Sequence, residues 1–447
     1  MGAVYLLVGI SLVLGLMVLI HEWGHFIVAR MCGVRVDVFS IGFGPRLFGW
    51  KKGPTDYRVS ALPLGGYVRM AGQDLSEVDS GDKPPTGAPD ELMSKSRWQR
   101  ALISFAGPAV NLIFPIFLLT GLFAIAGVPY PAYLNAPVRV AGLPPASDGV
   151  TSPLKAGDVV LSINGTPTPN WEQALLALKP VSAGATVKME VEDSGVRQTV
   201  DVPVKDVSDP SQILGYAPIR PVIDQIAPGT PAEQSGLHEG DMILAVNGKK
   251  IEYWEQFREA TQASNGKPMT LEVSRKGQTV QLTVTPKKDA ADTGQNVYQI
   301  GVLPRDESAY KRVSFSESVR LAGLDTVDTI AQTVDVVGKL FRGRVSIKQL
   351  QGPVGISHMA GQAVKKGPLD VILLMEVISI NLGILNLLPI PILDGGNILL
   401  LAIEGIRRRD LSLSFKERFV QVGLVFLLVI FAIVMYNDIL RRISSHS

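Results

Sequence analysis

Four stretches of the chain keep at most one charged side chain across the eighteen or more residues that a helix needs to cross hydrocarbon. They are residues 3–20, 101–128, 371–388 and 419–436. Between the second and third the pattern changes to alternation of period two: "VKMEVE" and "MTLEVS", each followed by another strand-like run, "QTVDVPV" and "QTVQLTV". This region repeats itself. "AGDVVLSING" at 156–165 matches "EGDMILAVNG" at 239–248 with an offset of 83, and "WEQ" at Trp171 recurs at Trp254 with the same offset. Two copies of one small β-rich domain explain the repeat. Residues 34–70 also alternate like strands and turn at Gly-Pro. Residues 314–341 place Phe315, Val319, Val327, Ile330, Val334 and Val337 at helical spacing, which predicts an amphipathic helix lying on the membrane or on the domains.

Composition sharpens this into a membrane protein. Only 19% of the 447 residues are charged, and the mean hydropathy is positive, +0.23. A net charge of +2 offers no concentrated basic face for nucleic acid. The lone Cys32 excludes an intrachain disulfide and a cysteine-based metal site. The first apolar run lacks a basic leader and a small-residue cleavage site, so it reads as retained. Basic residues flank the loops between spans one and two (Arg30, Arg35, Arg46, Lys51, Lys52, Arg58, Lys95, Arg97, Arg100) and between three and four (Arg407, Arg408, Arg409, Lys416, Arg418). "PYPAYLNAP" after span two has none, and the tail holds just Arg441 and Arg442. The positive-inside rule then puts both termini and the repeated region outside the cytoplasm. The fold class expected is a polytopic α-helical membrane protein, four transmembrane helices with two inserted β-rich domains. The divisions are 1–128, 129–220, 221–310, a helical linker 311–369, and 370–447.

The chemistry sits at "LIHEWGHF". His21 and His25 are four residues apart, so on a helix they share one face. This spacing suits two imidazoles on one zinc, with Glu22 close enough to take a proton from water. Alone, the five-residue pattern also occurs by chance. Ionisable groups inside a span, however, are costly and mark function. Eighteen residues carry the first span about 27 Å, and the third span also enters from outside, with Asp394 just beyond it in "NLLPIPILDGGN". Both therefore deliver polar groups near the cytoplasmic boundary. Pro389 and Pro391 cannot continue a helix, so that end of span three should be extended or broken, as membrane-depth backbone can be where protein or water surrounds it.

At this point the likeness to known families is specific. The "GD…NG" strand and turn, with "APGTPAEQSGLHEG" before it, resembles PDZ domains, closely over 221–287 and less so over 134–206. Such domains add a peptide as an extra strand; acting instead as spacers or a steric screen is an equal alternative here. "HEWGH", "FAGPAVN" and "NLLPIPILDGG" together resemble the site-2 protease family of intramembrane zinc proteases. With the tandem PDZ pair between spans two and three, the match is closest to its bacterial regulator-of-sigma-E branch. The resemblance implies that His21, His25 and Asp394 hold Zn2+, that Glu22 is the catalytic base, and that Asn386 and Pro389 contact substrate. It also implies the bacterial inner membrane, a site near the cytoplasmic side, and single-pass membrane substrates of the anti-sigma-factor type, trimmed outside beforehand. Asn397 stands where many relatives carry a basic or imidazole side chain, outside the ligand set.

Several features stay open in the sequence. Asn111 either hydrogen-bonds across helices or serves near the zinc. Glu376 is an intramembrane carboxylate without a named partner, and His358 reads as a surface or packing residue. Residues 34–70 either pair with an unwound substrate as an added strand or cap the site. Two other function classes compete: a membrane-anchored PDZ scaffold or chaperone with a structural metal, and a metal transporter. Neither needs a general base beside the metal, so Glu22 argues against both.

Overall fold

The apolar stretches fold as helices whose ends are set by local chemistry more than by hydropathy. The computed structural model describes residues 9, 11–73, 86–144, 152–204, 209–227, 229–288, 297–305, 307–343 and 352–444. It divides into two units, Met1–Val128 with Arg312–Leu440, and Pro129–Lys311 with Arg441–Ser447.

In the first unit, a π-helical turn Ser11–Gly15 runs into α1, Leu16–Met31. The helix does not stop with the apolar run at Ile20 but carries the histidine cluster along its length to Cys32. Residues 3–8 of the predicted first span lie outside the described residues. Strands β1, Val36–Lys52, and β2, Thr55–Met70, follow, then α2, Arg97–Ile125. Helix α2 begins four residues before the apolar run because Ser96 and Gln99 form a capping box, each side chain accepting the other's backbone N–H at 3.3 and 3.1 Å. After the second unit come α3, Phe315–Phe341, and α4, Pro353–Lys366. Helix α5, Pro368–Asn386, ends just ahead of Pro389 and Pro391, and α6, Asp394–Arg407, and α7, Leu413–Ser444, complete the unit. Among the described residues, four helices are long and apolar enough to cross a membrane: Ser11–Met31, Arg97–Ile125, Pro368–Asn386 and Ser414–Tyr436.

The alternating stretch 34–70 is more than a hairpin. Glycines at positive φ, Gly42 (+87°) and Gly44 (+86°), let β1 fold back so that residues 55–59 of β2 lie between two parts of it. Phe48↔Val59 and Lys52↔Thr55 pair on one side, Val38↔Asp56 and Ile41↔Val59 on the other. Residues 66–70 then pair with 36–41 (Ile41↔Gly66, Val36↔Met70) and form an edge. That edge packs on α1, where Val34, Val36, Val68 and Met70 share a core with Ala29 and Ile103.

In the second unit the repeat is physical. Thr166–Pro167, Val159–Ile163, Thr186–Asp193 and Val196–Pro203 form one four-stranded sheet, and Lys249–Lys250, Met242–Val246, Met269–Arg275 and Gln278–Val284 form another in the same order. Each has its own core, around Trp171 and Met189 in the first and Trp254 and Leu271 in the second. Asn164 and Asn247 both turn at positive φ, and each side-chain oxygen accepts a backbone N–H from the neighbouring strand, Lys188 at 2.9 Å and Thr270 at 2.8 Å. This is why the "NG" recurs.

The copies differ at the buried aspartate before the central strand. Asp158 and Asp241 each accept a loop N–H, from Lys155 and His238. Asp241 also receives both prongs of Arg275, at 2.9 and 2.7 Å, whereas Oδ1 of Asp158 has no hydrogen-bond partner. Burial pushes the Asp241 carboxyl up, but Arg275 and the His238 N–H outweigh it and hold it below its ordinary 3.8. A depressed carboxylate stabilises the fold above its unfolded pKa, and that gain is lost as pH falls through the folded value. Asp241→Asn should therefore destabilise its domain by about 2 kcal/mol near neutrality, with a smaller loss for Asp158→Asn. Hydrogen exchange of the Leu271 and Val273 amides should report the gap, and the gap between wild type and Asp241→Asn should close on acidification below the ordinary carboxylate range.

Candidate metal centre

His21 and His25 project from one face of α1, and both are buried, at 6% and 7% exposure. Helix α2 runs antiparallel along that face. Its residues Ile103, Gly107 and Asn111, spaced by four, form a single stripe. At one end Nδ1 of His25 donates to the Ile103 carbonyl at 2.8 Å. At the other, the Asn111 side-chain amide lies 3.3 Å from Nδ1 of His21. Between them Gly107 gives the rings room: a Cβ there would sit 2.3 Å from Nε2 of His25 and 2.9 Å from Cε1 of His21. Gly24 does the same from α1, where a Cβ would stand 2.6 Å from the Ala106 carbonyl oxygen. The motif "FAGPAVN" is thus the surface against which the two imidazoles are set.

Asp394 arrives from the opposite side, at the first turn of α6. The chain reaches it through a tight turn, 387–393, that includes Ile392 at φ +79°, a conformation costly for a β-branched residue. Gly395 and Gly396 follow because the turn folds back onto them; a Cβ on either would lie within 2.3 Å of a carbonyl oxygen of Leu387, Leu388 or Ile390. Gly423 of α7 likewise lets that helix touch Pro391. The result is a carboxylate with Oδ2 3.1 Å from Nε2 of His21 and Oδ1 3.4 Å from Nε2 of His25. The two Nε2 atoms are 3.2 Å apart.

These spacings test whether the residues suit zinc. Donors roughly 2.0–2.1 Å from one ion at tetrahedral angles stand about 3.3 Å from each other. The two Nε2 atoms, 3.2 Å apart, and Oδ2 of Asp394, 3.1 Å from the His21 nitrogen, stand near that spacing, while His25 meets the other carboxylate oxygen, Oδ1, at 3.4 Å. One ligand atom from each of the three residues lies within 4.8 Å of the others. Nδ1 of His25 donates toward Ile103, which leaves Nε2 as the ring atom that faces His21 and Asp394 and that a metal would use. Lone pairs collected in a buried site repel unless a cation lies among them. His21, His25 and Asp394 form the group of potential metal-binding side chains found among the described residues.

Glu22 lies on the next face of α1, with Oε2 accepting the backbone N–H of Val68 at 3.1 Å. Asn386, at the end of α5, places its Nδ2 3.5 Å from Nε2 of His21. Pro389 stands in the turn that leads from α5 to Asp394. Glu376, partnerless in the sequence, is engaged from α3: Thr329 donates to its Oε1 at 3.3 Å, beside Asp325. The His358 side chain lies outside the described residues. Of the two readings left open for Asn111, the structure places its side chain beside His21. Sequence reasoning missed the clearance at Gly107, for which the 103–107–111 spacing was the available signal, and the Val68 contact.

Comparison with known proteins gives the family. Residues 9–430 match the profile of Peptidase family M50. The chain is 32% identical to protease RseP of Yersinia pestis over 99% of this chain and 100% of that protein. It is equally similar to the regulator of sigma-E protease RseP of Escherichia coli K12, covering 96% and 97% of the two chains. A protein of Vibrio cholerae named as a candidate zinc metalloprotease is 32% identical over 96% and 97%. Zinc is accordingly the cofactor. Gly107→Ala should leave the helices intact but lower the bound zinc to about a tenth of wild type or less, read by elemental analysis of the purified protein. Undiminished zinc would mean that the imidazoles do not depend on this close approach.

Proposed function

Because this chain belongs to peptidase family M50 and is an intramembrane zinc metalloprotease of the site-2 type, we propose that His21, His25 and Asp394 are its zinc ligands and Glu22 its catalytic base. The observation that carries the assignment is the convergence of two imidazole nitrogens and a carboxylate, from two separate helices, with one ligand atom from each within 4.8 Å of the others. Zinc, when bound, supplies Lewis acidity toward water and a carbonyl oxygen. Glu22, one oxygen held by Val68, has the other free to take a proton from water and return it to the leaving amine. Asn386 offers an amide donor beside the ligands, suited to a substrate carbonyl. Pro389 and Pro391 keep 387–393 out of helix, giving the substrate non-helical backbone to lie against.

A substrate helix hides its carbonyls in its own hydrogen bonds and must be unwound locally to be cut. The edge segment 66–70 is the place we assign to the unwound strand, as an added strand beside the base. Its Val68 and Met70 amides turn away from β1, toward Glu22 and Gln73, which supports pairing over a purely capping role. Residues 129–220 and 221–310 are the two PDZ-like domains, which we assign to excluding substrates with bulky outer portions. The sigma-E regulators among the relatives support single-pass anti-sigma factors, already trimmed, as substrates. The basic loops support placement in the inner membrane with both termini and the PDZ pair outside and the metal centre toward the cytoplasm. A scaffold or transporter has no use for a base at Glu22.

Glu22→Gln should cut cleavage of a transmembrane reporter by about 10²–10⁴-fold while zinc content stays at wild type; equal cleavage would end the assignment. Met70→Pro removes an outward N–H without touching the β1 ladder. Slower cleavage by about tenfold or more is expected, the cost of one lost charge-free strand bond at the reacting geometry, and an unchanged rate in the folded variant would leave 34–70 as a cap.

A further inference from the structure

Each imidazole of the metal centre has a second nitrogen, and helix α2 answers both. For His25 the answer is complete: Nδ1–H donates to the Ile103 carbonyl at 2.8 Å, so Nε2 faces Asp394. For His21 it is half made. Its Nε2 also faces Asp394, at 3.1 Å, so with zinc bound the ring proton must sit on Nδ1. The group 3.3 Å from that nitrogen is the NH2 end of Asn111, which would set donor against donor. The other end of the same amide, Oδ1, is buried with no hydrogen-bond partner, in a residue with 0% exposure. An amide's two ends have nearly the same shape, and half a turn about the last side-chain bond sets an acceptor against His21 and gives the orphaned oxygen its partner.

We propose that Asn111 is a positioning residue for the metal centre, its Oδ1 accepting Nδ1–H of His21 and so fixing the tautomer that turns Nε2 to zinc. The proposal rests on the ligand assignment made above. The backbone of Asn111 is itself held: its carbonyl accepts the Ser379 hydroxyl at 2.7 Å, and α5 packs close here at Gly383, where a Cβ would stand 3.0 Å from the Pro108 carbonyl oxygen. Outer partners of this kind orient a ligand ring and raise its basicity. A cross-helix bond of purely structural value would depend on the amide's packing, not on its acceptor.

Zinc affinity of the full-length protein in detergent, measured by competition with a chelator, separates the two. Asn111→Leu, which keeps the bulk and loses the acceptor, should weaken binding by about 10–100-fold, and Asn111→Asp, which presents an oxygen on either side, should stay within about threefold of wild type. Metal-free melting curves check that the variants fold, and Asn111→Ala takes the place of Asn111→Leu if the latter does not. Wild-type affinity in the leucine or alanine variant overturns the proposal alone, as does an aspartate variant as weak as leucine. Failure of the wild type to take up zinc, with His21→Ala no different, overturns the ligand assignment and the proposal with it.

Discussion

Everything at the centre depends on how closely α1 and α2 can approach. Their backbones meet where Gly24 faces Ala106 and Gly107 faces the two imidazoles, and a methyl group at either glycine would collide with backbone or ring. In lipid, association of helices is not driven by burying apolar surface, since the tails are as apolar as the side chains. Small residues and polar contacts drive it instead. Here the small residues serve a second end. They bring the α2 face near enough for a main-chain carbonyl and a side-chain amide to reach ring nitrogens, groups that would otherwise be orphaned in hydrocarbon.

The other half of the centre is made by irregular backbone. A carboxylate on a continuous α5 would be carried past the imidazoles; the break after Asn386 lets Asp394 start a new helix facing them. Such a break exposes carbonyls and amides that lipid cannot satisfy. The turn resolves this internally, with Ile390, Leu393 and Gly396 amides bonded to carbonyls at 2.7–3.2 Å within the turn. Gly395, Gly396 and Gly423 leave no side chain where the folded-back chain passes. The sequence "LPIPILDGGN" is therefore one device, in which prolines end a helix, glycines admit the return, and an aspartate is delivered.

What the sequence disclosed were features whose cause is local. The four-residue spacing of His21 and His25, the prolines before Asp394, the repeat at an offset of 83 and the amphipathic period of 314–341 all follow from helix and strand geometry. What stayed hidden depends on which elements meet. Nothing local says that β1 folds back around residues 55–59, that Glu376 finds Thr329 on α3, or that Asn111 lies against His21. Glu404 is a further case. It is fully buried, with Lys416 at 3.0 Å and Arg100 and Arg97 at 3.7 and 3.9 Å. A lone buried carboxylate would be costly; three cations from α2 and α7 are what make it tolerable, and they fasten the α2 start to the α6–α7 connection.

Helix α3 carries the same logic outward. Its apolar spacing leaves open whether it lies on the membrane or on the domains; the residues buried in the bundle are Ser318, Ala322 and Thr326, and Phe315, Leu324, Val327 and Val334 face away. Thr329 and Thr333 hydrogen-bond to Glu376 and Asn381 of α5 at 3.3 Å each. In water this arrangement would be inside out. Against an apolar surrounding it would be a stable one, because a small and hydroxyl-bearing seam gives close packing and satisfied polar groups. Some of the charges on the outer side pair along the helix, Glu317 with Arg320 and Asp335 with Lys339. Periodicity gave the helix and its two faces; only the nature of the surrounding solvent decides which face turns inward.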